Sequence, residues 1–209
     1  GPSPLDGIQA VGRRKYGKPQ LSFDEGNRLG AVCLLEGSEG ATATLMCQLM
    51  ALRASEALSR VVRDIDRGGT HLRVDDNERV CFLAKNDTSK RPVLIPALLR
   101  PLIAKLALGK GPEDPIFPGT LGGRRRRQWL HAEVRRLCAK AGVPVVCPHS
   151  LRGWMTTSVV AAGELPEVAA RGIGHASAKM TLQHYIKPGV AEAAALARGQ
   201  AAFAAAQTG

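Results

Sequence analysis

Three short apolar segments near the middle of the chain constrain its fold more than any other feature. They are THLRVD (70–75), RVCFLA (79–84) and RPVLIP (91–96), and the polar stretches DNE and KNDTSK separate them. Short segments rich in Val, Ile, Leu and Phe, divided by turn residues, predict a small three-stranded antiparallel sheet. The sequence on both sides of this sheet is helical, so we predict an α+β protein that is mostly α.

Capping residues and apolar spacing locate the helices. Ser22 is a candidate N-cap for a first helix that begins with Asp24 and Glu25, and Pro148 suits the first turn of a later one. The segment 41–51 is apolar nearly all round, which predicts a buried helix. Further helices are predicted in LRASEALSRVVRDID, ALLRPLIAKLAL, RRRRQWLHAEVRRLCAKAG, LPEVAARGIG, SAKMTLQHY and the Ala-rich end of the chain.

The pattern divides the 209 residues into three parts. Residues 1–20 are basic and rich in Gly and Pro, which predicts a flexible linker or the remnant of a tag. Residues 21–190 are expected to form one domain. Residues 191–209 are Ala-rich and predict a C-terminal helix or tail.

Charge points to the class of partner. The chain has 29 Lys and Arg against 18 Asp and Glu, a net charge of +11, which favours a polyanion and nucleic acid above all. The sequence contains no apolar run near the roughly 18 residues of a membrane span and no signal peptide at its start, so we expect a cytoplasmic protein without a membrane partner. Five cysteines without a C-x-x-C pair predict reduced thiols rather than disulfides or zinc ligands.

Three residues are candidates for anion chemistry. His149 and Arg152 are three apart at the start of a predicted helix, where the helix dipole favours a phosphate. Arg53 lies between two predicted helices beneath apolar sequence and needs a partner there, for which Glu56 is available. Taken singly, the histidine is equally explained as a helix cap and the arginines as members of structural ion pairs.

The order of these residues resembles the tyrosine recombinase (phage integrase) family. CPHSLRGW (147–154) and LPEVAARGIGHASAKMTLQHY (165–185) are similar to the second box of that family, and MALRASEALSRVVRDID (50–66) resembles the first. Between them, CFLAKNDTSKRPVLIP (81–96) is similar to the β-hairpin that carries the family's lysine. The resemblance identifies residues 21–190 as a catalytic domain of the tyrosine recombinase type.

The resemblance implies a role for each matching residue in cleaving a phosphodiester. Arg53 and Arg152 would clamp the non-bridging oxygens, and His175 would add a hydrogen bond to them. Tyr185 would attack phosphorus, forming a 3′-phosphotyrosyl link and releasing a 5′-hydroxyl. The bond energy is retained for religation, so neither ATP nor a metal or other cofactor is implied.

The general base and general acid are also implied by the resemblance. His149 would accept the phenol proton, since an imidazole titrates near working pH. A lysine of the hairpin would protonate the departing 5′-oxygen. Lys85 fits best because it directly follows an apolar segment, although Lys90 and Arg91 are close enough to leave the assignment open.

Three features depart from the family pattern. Ala51 stands where the family more often has Gly before Leu-Arg. The spacing of ten from His175 to Tyr185 is one longer than the commonest one. Members usually carry an N-terminal helical domain, whereas about twenty residues precede the match here, so we expect either an excised catalytic domain or a minimal member.

The resemblance and the basic charge together predict a site-specific recombinase that acts as a homotetramer on two synapsed double-stranded DNA sites. The predicted DNA-binding residues are Lys90, Arg91, Arg124, Arg125, Arg126 and Arg127. Part of the arginine run is equally explained as a solvated cap. The alternatives are a type IB topoisomerase, which shares the chemistry, and a non-catalytic DNA-binding module.

Overall fold

The computed structural model describes residues 18–85, 87–120, 122–174, 186 and 189–208. Its helices are α1 Phe23–Glu36, α2 Glu39–Leu49, α3 Ala54–Leu58, α4 Arg100–Ala107, α5 Arg127–Lys140, α6 Pro148–Ala161, α7 Pro166–Gly172 and α8 Val190–Thr208. Its strands are β1 His71–Val74 and β2 Arg91–Leu94. The predicted mostly α protein with a small antiparallel sheet is confirmed.

Local capping chemistry fixes the two helix starts that the sequence predicted. The Glu25 N–H donates to the Ser22 hydroxyl (3.2 Å), and the Ser22 N–H donates to a Glu25 carboxylate oxygen (2.7 Å), which is a complete capping box. Helix α6 begins at Pro148. The proline ring fixes φ at a helical value, and the N–H that proline lacks would have no partner within the helix at this position. Both predictions are confirmed.

Helix α2 is the centre of the core. Every residue from Gly40 to Gln48 is buried, and α1, α5 and α6 pack around it. The side chains of Leu45, Met46 and Cys47 have no solvent exposure. The predicted burial of this helix is therefore confirmed, and the helix provides the rigid base on which α6 lies.

The predicted third strand was wrong for the residues described. Strands β1 and β2 pair antiparallel, with His71 opposite Leu94 and Val74 opposite Arg91. The segment 79–84 instead closes a tight turn, in which Asn77 and Phe82 exchange both backbone hydrogen bonds at 2.9 Å. Phe82 thus pairs its backbone with Asn77 inside the turn and not with a neighbouring strand.

Two predicted helices are shorter than the sequence indicated. The segment 52–66 contains only the five-residue α3, followed by a 3₁₀ turn at Val62–Asp64. The run of four arginines does not open α5, because the helix begins at Arg127 with Arg126 in extended conformation as its N-cap. The predicted helix SAKMTLQHY (177–185) lies outside the described residues.

The segment before α1 is attached to α6. The indole N–H of Trp154 donates to the Ser22 carbonyl (3.0 Å), and the Thr157 hydroxyl donates to the Gln20 side chain (3.0 Å). Phe23 packs edge-on against Trp154, with ring centroids 6.4 Å apart. We call these five residues the N-terminal anchor; it fixes the helix that carries His149 and Arg152.

The described part of the chain has no helix that is both long and apolar enough to cross a membrane. All five cysteines are free thiols. Burial raises the pKa of Cys33 and of Cys47 to about 12, so both stay protonated.

Candidate functional site

Three arginines from distant parts of the chain converge on one buried carboxylate. The Glu56 side chain accepts from Arg53 Nη1 at 2.5 Å, and its Oε2 lies 3.4 Å from Arg91 Nη2 and 3.6 Å from Arg152 Nη1. We call Arg53, Arg91 and Arg152, with Glu56, the arginine cluster. The predicted pairing of Arg53 with Glu56 is confirmed, and the sequence-predicted Arg53 and Arg152 are brought together.

Arg53 is positioned by the short helix that it caps. It is the N-cap of α3, and its own N–H donates to Glu56 Oε2 at 2.9 Å. The same carboxylate therefore holds both the backbone and the guanidinium of Arg53. Arg53 is also the most open of the three arginines, with 23% of its side chain exposed against 10% for Arg91 and none for Arg152.

Arg152 is held by backbone carbonyls on two sides. Its guanidinium donates to the Ala51 carbonyl (2.5 Å) and to the Ile173 carbonyl. Ala51 has a φ of 49°, in the left-handed region that favours glycine. The position where the family more often has Gly is thus a strained turn that presents an acceptor to Arg152.

Arg91, the first residue of β2, ties the hairpin to the end of α7. Its Nε donates to the Gly172 carbonyl (3.2 Å), and its Nη1 donates to the Ser89 carbonyl (2.9 Å). Arg91 was predicted to bind DNA, and its place in the arginine cluster was not predicted. The sequence places Arg91 at the start of a predicted strand, but nothing in its spacing links it to Glu56, which lies 35 residues earlier.

The cluster keeps its carboxylate ionised and remains cationic. Burial raises the pKa of Glu56, but Arg91, Arg152 and Arg53 together outweigh burial and lower it below its ordinary value. Three guanidiniums and one carboxylate leave a net charge of 3 − 1 = +2. Such a cluster, open on the side of Arg53, suits an anion with several oxygens, such as a phosphodiester.

His149 lies beside the cluster on the first turn of α6. It is three residues before Arg152, so the two share a helix face, and it is partly exposed. Cys147, the N-cap, approaches the Ser150 hydroxyl at 3.3 Å. The first turn of α6 therefore presents a partly exposed imidazole on the helix face that carries Arg152.

The two hairpin lysines have different surroundings. Lys90 Nζ lies 2.6 Å from Asp76 Oδ2, and Asp76 also accepts from the Ala84 N–H at 2.7 Å. The hydrogen bond with Asp76 raises the pKa of Lys90, which makes it a poorer proton donor. Lys85, one residue after Ala84, is exposed.

The four arginines of the predicted basic run, 124–127, differ in their contacts. Arg124 donates to the Ser59 hydroxyl (2.8 Å), and Arg125 pairs with Glu39 (2.9 Å). Arg126 and Arg127 are exposed, and within the described ranges neither has an ion-pair partner. The first two arginines therefore stabilise the fold, and the second two face solvent.

His175 and Tyr185 lie outside the described residues. The two residues that precede His175 in the sequence, Ile173 and Gly174, are buried, and the Ile173 carbonyl accepts from Arg152. No group of three or more His, Cys, Asp or Glu side chains suited to a metal occurs in the part of the chain described.

A mostly helical domain that gathers arginines from α3, β2 and α6 around one carboxylate defines an anion-binding class of domain. Residues 20–191 match the model of the phage integrase family, and the chain belongs to that family. The family membership predicted from the two boxes and the hairpin is confirmed.

Two sequence relatives cover part of the chain. It is 31% identical to tyrosine recombinase XerC of Nitrobacter winogradskyi over 133 residues. This aligned region covers 62% of this chain and 40% of the relative. It is 28% identical over 113 residues to the integrase of Mycobacterium phage L5, spanning 52% of this chain and 30% of the relative. The matched regions are thus less than half the length of either relative.

Solved structures agree on the fold. XerA recombinase has a TM-score of 0.71 at 20% identity, covering 91% of this chain and 66% of that one. The Tn1549 transposon integrase in complex with transposon right end DNA has a TM-score of 0.67 at 18% identity, covering 92% and 69%. The fold is therefore the one seen in recombinases and integrases.

Proposed function

We propose that this chain carries the catalytic centre of a site-specific DNA recombinase, which cleaves and rejoins strands through a 3′-phosphotyrosyl intermediate. The observation that carries the proposal is the arginine cluster. Arg53 and Arg152, which belong to the two family boxes, both form ion pairs with the Glu56 carboxylate. The sequence relatives, a tyrosine recombinase and an integrase, support the same reaction. The proposed substrate is double-stranded DNA, and the structure of the Tn1549 integrase with transposon end DNA supports it.

The cluster would hold the scissile phosphate from the exposed side of Arg53. Cleavage is slow because negative charge builds on the phosphorus oxygens, and fixed guanidinium donors stabilise that charge without reorganising. Arg91 would serve with Arg53 and Arg152, and His175 would donate a further hydrogen bond. These cations supply the charge that a metal ion supplies in other phosphoryl-transfer sites.

The proposed step exchanges one P–O bond for another. Tyr185 Oη attacks phosphorus while the bond to the 5′-oxygen breaks, and His149 accepts the phenol proton. Lys85 gives its proton to the departing 5′-oxygen, a role for which Lys90 is less suited because Asp76 holds it. The phosphotyrosyl link retains the energy of the phosphodiester, so religation needs no ATP.

The assembly and setting are part of the proposal. Strand exchange between two sites requires four cleavages, which a homotetramer on synapsed DNA would provide with one tyrosine each. Arg126 and Arg127, exposed at the start of α5, are the members of the predicted basic run best placed for phosphates. We place the protein in the cytoplasm, where DNA is accessible to it.

Covalent trapping tests the proposal. The protein is incubated in EDTA with a pool of randomised duplexes, each nicked so that the cleaved 5′ end diffuses away, and adducts are isolated under denaturing conditions and mapped by peptide mass spectrometry. We expect a DNA adduct on Tyr185, absent from Tyr185→Phe and retained in Tyr16→Phe, which alters the only other tyrosine. An adduct that survives in Tyr185→Phe would contradict the assigned nucleophile.

A further inference from the structure

Arg60 is a buried cation to which the proposed reaction gives no role. It lies two residues after α3, and with Arg152 it is the largest fully buried side chain among the described residues. Burying a guanidinium is costly unless its donors are satisfied and its charge is paired. The groups that satisfy Arg60 therefore indicate which parts of the chain it holds together.

The guanidinium of Arg60 joins α3 to the end of β1. Its Nε donates to the Glu56 carbonyl at 3.0 Å. Its Nη1 donates to the Arg73 carbonyl (2.9 Å), and its Nη2 donates to the Asp75 carbonyl (3.1 Å). Asp64 Oδ2, 3.3 Å from Nη1, pairs with the charge. Arg60 thus fixes the chain that leaves β1 to the helix that carries Glu56.

The same guanidinium lies over the ring of Phe82. The Arg60 Cζ is 4.7 Å from the ring centroid, and Phe82 is buried. Phe82 exchanges both backbone hydrogen bonds with Asn77, so it closes the turn that follows β1. Arg60 therefore holds this part of the chain at both ends, at Asp75 and at Phe82. We call residues 75–82 the clamped segment.

The chain that reaches Lys85 starts from the clamped segment. Lys85 is three residues after Phe82 and is exposed. The Ala84 N–H donates to Asp76 Oδ1 at 2.7 Å, so the backbone is attached to the clamped segment up to the residue before Lys85. The location of the lysine backbone therefore depends on the clamped segment, and through it on Arg60.

We propose that Arg60 is a positioning residue for Lys85, which it keeps within reach of the departing 5′-oxygen by holding the clamped segment. The inference rests on the proposed function, because it concerns the general acid of that reaction. Arg60 is fully buried, so it acts through the lysine and not by touching DNA. A displacement of about 1 Å in a reacting group can cost about 10²-fold in rate, so a loosened segment should slow proton transfer.

Amide hydrogen exchange tests the hold on the clamped segment and needs no cleavage. The amides of Asn77, Phe82 and Ala84 report on the segment, and those of α2 report on the rest of the fold. In Arg60→Met the three amides should exchange about tenfold faster relative to α2. Val134→Ala, which opens a cavity in α5, is the matched control and should leave that ratio unchanged. An unchanged ratio in Arg60→Met would overturn the proposal.

Changing the leaving group tests the consequence for catalysis. On a nicked duplex that the wild type cleaves, Arg60→Met should be at least about tenfold slower than the wild type. A bridging sulfur in place of the 5′-oxygen leaves without a proton, so the variant should then cleave within about threefold of the wild type. Equal slowing with oxygen and sulfur would show that Arg60 serves only the fold, and would overturn the proposal.

A double variant tests whether the two residues act on the same step. Lys85→Ala already lacks the proton donor, so adding Arg60→Met should slow cleavage of the 5′-oxygen substrate no further. Val134→Ala added to Lys85→Ala is the control for a general loss of stability. A further loss of about tenfold on adding Arg60→Met alone would contradict action through the lysine.

A milder variant keeps the test valid if Arg60→Met does not fold. Phe82→Leu retains Arg60 and removes only the aromatic ring beneath its guanidinium. It should show the same selective changes in exchange and in cleavage, and circular dichroism confirms that each variant is folded at the assay temperature. Behaviour like that of Val134→Ala in both assays would count against the clamp.

The two proposals fail separately. Absence of cleavage by the wild type would count against the proposed reaction, while hydrogen exchange would still show whether Arg60 holds the clamped segment. Rescue of Lys85→Ala by the bridging sulfur, without rescue of Arg60→Met, would support the reaction and reject the role of Arg60.

Discussion

The guanidinium of Arg152 donates a 2.5 Å hydrogen bond to the carbonyl of Ala51, a residue 101 positions away whose backbone is left-handed. The residue that holds the buried arginine is therefore also the one that carries backbone strain. A left-handed conformation costs a non-glycine residue about 1–2 kcal/mol. The strained backbone of Ala51 is thus in direct contact with Arg152, the most buried arginine of the cluster.

Ala51→Gly should stabilise the protein. Glycine removes the left-handed penalty, and the entropy it adds to the unfolded chain offsets part of the gain, which leaves about 0.5–1 kcal/mol. Urea unfolding monitored by circular dichroism measures the change. Ala132→Gly, exposed in the middle of α5, is the control and should destabilise by about 1 kcal/mol. Destabilisation by both substitutions would contradict the assigned strain.

Glu56→Gln should destabilise the protein most at neutral pH. It leaves three guanidiniums around a neutral amide, and removing one partner of a buried pair costs about 3–5 kcal/mol. The folded-state pKa of Glu56 is lowered, so its stabilisation is present above the ordinary value of 4.5 and is lost as pH falls through the lowered one. The difference in unfolding free energy between wild type and variant should therefore shrink below pH 4.5.

Glu39→Gln is the comparison for that measurement. It breaks the partly exposed pair with Arg125 and should cost about 1 kcal/mol or less. A constant difference between wild type and Glu56→Gln across the acid range would show that the Glu56 carboxylate does not titrate with folding.

The general acid can be identified by changing the leaving group. Lys85→Ala should slow cleavage of a nicked duplex by about 10²–10⁴-fold, while Lys90→Ala should act chiefly through the Asp76 contact and cost far less. A bridging sulfur in place of the 5′-oxygen leaves as a thiolate and needs no proton, so it should restore cleavage by Lys85→Ala. Single-turnover gel assays measure both rates. Restoration in Lys90→Ala instead would reassign the acid.

Gly26 and Gly30 should respond oppositely to the same substitution. A Cβ at Gly26 would lie 2.3 Å from Trp154 Cε2, whereas one at Gly30 would lie 3.7 Å from the nearest atom, in Gln48. Gly26→Ala should therefore destabilise by about 1–3 kcal/mol, and Gly30→Ala should stabilise by up to about 1 kcal/mol. Thermal unfolding of the two variants measures both changes in stability. Equal shifts would contradict the packing of Trp154 against α1.

Local patterns in the sequence predicted what depends on neighbours a few residues apart. The N-cap at Ser22, the start of α6 at Pro148 and the pairing of Arg53 with Glu56 each depend on residues within one turn. Arg152 was singled out by its spacing from His149 and by the family boxes. Each of these predictions rested on residues a few positions apart or on a motif.

Long-range contacts account for what the sequence did not predict. Arg91 is 35 residues from Glu56, and nothing in the spacing of β2 indicates that they meet. The segment 79–84 has strand composition, but Asn77 closes it into a turn. Arg124 and Arg127 look alike in sequence and differ only in that one reaches Ser59 and the other reaches solvent.

The N-terminal anchor joins the beginning of the described chain to the helix that carries the site. Ser22 and Gln20 accept hydrogen bonds from Trp154 and Thr157, which lie two and five residues after Arg152 on α6. The attachment is therefore within two turns of the buried arginine. The residues just before α1 thus belong to the same packed unit as Arg152, although they lie more than 120 positions away in the sequence.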